Sequence, residues 1–106
     1  MSHEQTPTGI LILAYGSPDT LDDVEPYFTH IRGGRKPSPE AVERLRERYR
    51  LVGGRTPLKE LTFAVAEGVQ ARLDADAPGR YRVFVGMKHW HPFIAEAVAR
   101  ILEAGI

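Results

Sequence analysis

Six consecutive residues, Gly9–Ala14 (GILILA), carry no polar side chain and run directly into Tyr15-Gly16-Ser17-Pro18. A run that short, branched and without alternation, closed by turn residues, suits a strand buried on both faces, as in a parallel sheet. One other segment reads the same way: Tyr81–Val85 (YRVFV), β-branched and aromatic, closed by Gly86. The stretch between them has helical periodicity, so the two strands are expected to lie parallel, joined by a right-handed helical crossover. Two strands are too few for an independent sheet. The expected class is α/β, in the order β-α-α-α-β-α. It is the opening of a doubly wound parallel-sheet domain, truncated before its third strand, with Ile106 where that strand would begin.

The helices announce their ends. Asp19 or Thr20 is placed to cap a helix through Leu21, Val24, Tyr27, Phe28 and Ile31, with Pro26 arguing for a late start or a kink. Residues 32–37 (RGGRKP) read as a loop. Ser38-Pro39 is a capping residue followed by proline at a first helical position, and Val42, Leu45, Tyr49 and Val52 follow at helical spacing up to Gly53-Gly54. Thr56-Pro57 repeats the start signal ahead of an apolar stripe of Leu58, Leu61, Val65, Val69 and Leu73. Pro92 is expected to open a last helix carrying Phe93, Ile94, Ala97, Val98, Ile101 and Leu102, capped at Gly105. Met1–Thr8 are polar and expected to fray, leaving residues 1–106 as one domain fragment.

Composition excludes several classes. Fourteen basic and fourteen acidic side chains leave no net charge, so nothing argues for a nucleic-acid partner. There are no cysteines for disulfides, thiolate metal sites or iron–sulfur clusters. No apolar stretch is long enough to span a membrane, and no basic segment precedes Ile10–Leu13 as in a signal peptide. The chain reads as cytoplasmic.

Topology nominates the functional edge. In parallel sheets of this kind, ligands bind outside the carboxyl ends of the strands. Here those ends are Tyr15-Gly16-Ser17-Pro18 and Gly86-Met87-Lys88-His89-Trp90-His91, so Tyr15, His89 and His91 are candidates to face one cavity. Each has an ordinary assignment beside the functional one. Tyr15 is a metal or ligand contact, or an amphipathic rim residue. Tyr49 sits on an apolar stripe and would normally be core, and Arg48 would normally be surface. Thr56 is first a helix cap, although the helix start it caps also suits an anionic carboxylate. Arg32 belongs to a basic loop that is either solvated or a carboxylate clamp. His89 and His91 make a weak metal pair without a third ligand. No GxGxxG and no GxxxxGK[ST] phosphate loop is present.

LILAYGSPDT (Leu11–Thr20), YFTHIRGGRKPSPE (Tyr27–Glu40), ERYRLVGGRTPL (Glu47–Leu58) and GMKHWHPFIAEAV (Gly86–Val98) occur in this order. Together they resemble the N-terminal part of ferrochelatases, above all the bacterial type acting on coproporphyrin, over about Gly9–Ile106. Small cobalt and nickel chelatases share the architecture but carry GHGS where this chain has Ala14-Tyr15-Gly16-Ser17, which favours the ferrochelatase likeness.

That likeness implies a pair of doubly wound domains around a porphyrin cleft, with Fe²⁺ and a porphyrin (coproporphyrin III or protoporphyrin IX) as substrates, haem as product, and no further cofactor. It implies that Tyr15 is the axial ligand on the proximal side, that Arg32 contacts the propionates, and that Arg48, Tyr49 and Thr56 line the substrate site. It extends a metal-related role to His89. The family's catalytic His and Glu would lie beyond residue 106, so no catalytic residue is assigned. The alternative is a non-enzymatic module that self-associates and at most binds porphyrin or haem.

Overall fold

The computed structural model describes residues 6–54 and 56–106, so Met1–Gln5 of the segment expected to fray lie outside the described residues. Strand β1 spans Thr8–Ala14 and begins one residue ahead of Gly9, because Thr8 N–H already donates to Arg80 C=O at 2.9 Å. A single 3₁₀ turn at Leu21–Asp23 leads into helix α1, Val24–Ile31. The Asp23 carboxylate accepts from both the backbone N–H and the hydroxyl of Thr20, at 3.2 and 3.1 Å. Pro26 is therefore the third residue of α1, inside the first turn, where a missing N–H costs nothing. The late start is what the sequence called for.

Helix α2 is Pro39–Arg50, with the Ser38 hydroxyl accepting from Ala41 N–H at 3.2 Å. It ends before Val52, which is 56% exposed and belongs to no packed stripe. Helix α3 is Leu58–Asp76, strand β2 is Tyr81–Met87 and helix α4 is Ile94–Glu103. Pro92 does not open α4. Its carbonyl accepts from Met87 N–H at 2.7 Å, which keeps the chain extended through Phe93 and delays the helix to Ile94.

Strands β1 and β2 pair in parallel, from Thr8 with Tyr81 to Ala14 with Met87. Alternation sends successive side chains to opposite faces. On one face Ile12, Ala14, Val83, Val85 and Met87 pack under Ala66 of α3. On the other, Leu11, Phe84 and the two glycines Gly9 and Gly86 meet Ile94, Ala97, Ile101 and Ile106 of α4 and its end. The two helices thus cover opposite faces. A Cβ on Gly86 would lie 3.1 Å from Ile94 Cα and 3.3 Å from Ala97 Cβ, so a glycine there lets α4 sit on the sheet.

The stripe expected on α3 is turned. Thr62 and Ala66 face the sheet, while Leu61 and Val65 are 59% and 57% exposed. Small side chains let a helix approach a strand closely, and the larger ones fall to its flank. Below Ala66 on the same helix, the Gln70 carboxamide donates to Tyr81 C=O at 2.9 Å and accepts from Val83 N–H at 2.8 Å. Those two groups lie on the edge of β2 that faces away from β1.

Candidate functional site

The two loops leaving the strands are zipped together before they diverge. Lys88 N–H donates to Ala14 C=O at 2.9 Å and His89 N–H to Tyr15 C=O at 3.0 Å. Gly16 follows with φ of 96°, a conformation that disfavours any side chain, and a Cβ there would lie 3.0 Å from the Trp90 backbone nitrogen. The buried Tyr27 hydroxyl donates to Gly16 C=O at 3.0 Å. Asp19 then ties the first and fourth motifs to α3: its carboxylate accepts from Trp90 Nε1 at 3.1 Å and from Lys59 Nζ at 3.2 Å. On this fixed backbone the Tyr15 side chain stands 53% exposed.

The Tyr15 ring meets His89 edge-on, with centroids 4.7 Å apart. A third ring completes the group. His30, in the last turn of α1, brings its Nδ1 to 3.0 Å from Nδ1 of His89 and lies against Phe93, centroids 4.8 Å apart. Burial lowers the His89 pKa from its ordinary 6.5, and the neighbouring His30 and Lys88 add to the effect. His91 does not join them. It points to α4, with its Nδ1 2.6 Å from the Glu96 carboxylate and its ring on Phe93. Of the three candidates named by topology, the structure brings Tyr15 and His89 together, and His30 takes the place expected of His91. No spacing in Thr29-His30-Ile31-Arg32 marks His30, whose reach depends on where α1 lies.

Tyr49 is half-buried beside the same loop rather than deep in a core. Burial raises its pKa, and Tyr15 adds to the shift while Tyr27 opposes it. Burial likewise pushes the Tyr27 phenol well above its ordinary 10.0, with the Tyr49 and Tyr15 phenols adding to the shift. Three phenols therefore cluster at this edge. Arg32 is half-buried at the end of α1, and Arg48 is exposed, lining a separate groove with Phe28, Arg44 and Leu45. Neither arginine has a carboxylate partner among the described residues. Lys36, on the same loop as Arg32, pairs with Glu25 at 3.7 Å. The Thr56 hydroxyl accepts from Leu58 N–H at 3.4 Å and opens onto a groove with Val52, Gly53 and Glu60. Arg48 and Thr56 thus line grooves of their own, apart from the ring cluster around Tyr15.

Among the described residues there is no group of three or more His, Cys, Asp or Glu placed to hold a metal ion. No helix of the described residues is long and apolar enough to cross a membrane.

A family model described as ferrochelatase matches residues 7–106. A ferrochelatase of Herpetosiphon aurantiacus is 52% identical over 99 residues, covering 93% of this chain and 32% of that protein. A coproporphyrin III ferrochelatase of Oceanobacillus iheyensis is 41% identical over 104 residues, 97% of this chain and 33% of that one. A ferrochelatase of Thermus thermophilus is 44% identical over 113 residues, 92% and 35% respectively. The chain spans about a third of the length of these curated relatives. With the paired strands, the fixed Tyr15 loop and a match along nearly all of its length, this chain belongs to the ferrochelatase family.

Proposed function

We propose that this chain supplies the proximal wall of a porphyrin cleft in an enzyme of haem biosynthesis that inserts Fe²⁺ into coproporphyrin III or protoporphyrin IX. The observation that carries this reading is Tyr15: a half-exposed phenol at the carboxyl edge of the sheet, on a backbone held by Gly16, Tyr27 and Trp90. A phenolate is a competent axial ligand for porphyrin iron. Arg32 and Arg48, without acidic partners among the described residues, bind the propionates through charge-assisted hydrogen bonds, and the α3 start behind Thr56 adds partial positive charge. Tyr49 borders the ring. A metal-related role for His89 follows from the same reading.

Insertion exchanges two pyrrole protons for one Fe²⁺, so a base must take up those protons beside the ring. The family assigns that work to a His and a Glu outside these 106 residues. The chain by itself is therefore a porphyrin-binding piece without turnover, needs no cofactor, and works in the cytoplasm. It forms the N-terminal part of a chelatase-like domain.

The test is a titration of the 106-residue chain with ferric coproporphyrin. Wild type is expected to give a ferric phenolate absorption band, and Tyr15→Phe to lose it with helical content unchanged. An identical spectrum in the variant returns Tyr15 to a packing role. Metal insertion into free coproporphyrin, followed by absorbance, should stay at the uncatalysed rate.

A further inference from the structure

His30 and His89 come from segments 59 residues apart, yet their Nδ1 atoms lie 3.0 Å from each other. We propose that these two imidazoles form a bidentate site for a borderline divalent ion of the first transition row, such as Fe²⁺, Zn²⁺ or Cu²⁺. With metal–nitrogen bonds of about 2.0–2.1 Å, nitrogens at that separation subtend roughly 95° at the metal, between the octahedral and tetrahedral values. Each Nδ1 lone pair, now directed along the line between the rings, must swing by roughly 40° to meet the other at one metal.

The rings are already held in place. His89 is anchored through its backbone N–H to Tyr15 C=O and flanked by the Tyr15 ring, while His30 rests on Phe93. In the neutral pair one ring lends its Nδ1 proton to the other. On binding, that proton moves to Nε2 of its own ring through solvent, so both Nδ1 atoms become donors and no proton is released overall.

Imidazole pairs select for late and borderline ions, and a site without carboxylates has nothing to offer Mg²⁺ or Ca²⁺. Its remaining positions are open, because no third His, Cys, Asp or Glu joins the pair among the described residues, and Lys88 next to His89 opposes added positive charge. The site is therefore weak and exchangeable. It lies against the ring of Tyr15, a place from which a metal substrate can be handed on. That handing-on, like a metal role for His89, rests on the proposed function; the pairing of His30 with His89 stands on the geometry alone.

The experiment uses the full chain with Cu²⁺ and Zn²⁺ alone. Calorimetry is expected to show a single equivalent bound and uncompeted by Mg²⁺, and Cu²⁺ electron paramagnetic resonance to show coupling to two imidazole nitrogens. His30→Gln and His89→Gln should each lose binding, and His91→Ala and His3→Ala should keep it. Circular dichroism confirms that each variant is folded. Binding that survives in the doubly substituted His30→Gln/His89→Gln chain overturns the site, as does loss in His91→Ala alone or no binding by wild type. Tyr15→Phe separates the two readings: metal binding persists there even as the porphyrin signature disappears.

Discussion

The phenol of Tyr27 is buried and gives its proton to the carbonyl of Gly16, the residue after Tyr15. Tyr27→Phe keeps the ring and removes only that donor, leaving a buried carbonyl unsatisfied, so it should cost about 1–3 kcal/mol in urea unfolding. A larger relative loss of porphyrin binding than of stability would show that the bond also sets the Tyr15 loop. Glu96 offers a pH-dependent counterpart. Its pKa is lowered from 4.5 by the Phe93 N–H and by His91, so its charged form is favoured by folding. A depressed carboxyl contributes stability that is whole above the unfolded value and lost as pH falls through the folded one. Glu96→Gln should therefore unfold more easily than wild type at neutral pH, with the difference shrinking in acid; a constant difference would assign the effect to packing. At this scale the sequence announced Tyr15 and His89 through their places at strand ends. It did not announce His30, because a helical position shows its reach across the fold only once α1 is seen leaning over the β2–α4 loop.

Among the elements, starts were legible and faces were not. Ser38-Pro39 marked the start of α2 because a hydroxyl acceptor and a fixed φ act within one turn. Ser38→Ala should accordingly cost about 1 kcal/mol by thermal or urea unfolding. The face of α3 depends on the strand beneath it. Apolar spacing chose Leu61 and Val65, yet the helix seats Thr62 and Ala66 on the sheet and turns Gln70 to the outer edge of β2. Periodicity counts hydrophobic residues; it does not register that close approach selects small ones. The same closeness makes Gly86 sensitive. Gly86→Ala must push α4 away from the sheet, with an expected loss of about 1–3 kcal/mol in unfolding free energy. A neutral result would mean that α4 is free to slide.

The molecule as a whole leaves apolar side chains uncovered. Leu13, Leu51, Leu61, Val65 and Leu102 are each more than half exposed. We expect the chain to self-associate, and the hydrogen bonds say along which edge. On β2 the outward C=O of Tyr81 and N–H of Val83 are taken by Gln70, and Met87 N–H by Pro92. On β1, Thr8 N–H and Ala14 C=O point to β2, so by alternation Gly9, Leu11 and Leu13 turn theirs outward. Light scattering should find a species heavier than one chain. Leu13→Pro removes an outward N–H without touching the β1–β2 ladder, and should return that species to single-chain mass with the fold intact. An unchanged mass would place the contact elsewhere. The partly capped edge of β2 carries one more consequence. Extension along the uncapped edge makes β1 an interior strand, whoever donates its neighbour. In the proposed chelatase-like domain, with α4 on the face opposite α3, a right-handed connection onward would arrive on that same side. The direction of winding then reverses at β1, and loops from β1 and its new neighbour part toward opposite faces. The crevice left by such a topological switch would open above Tyr15.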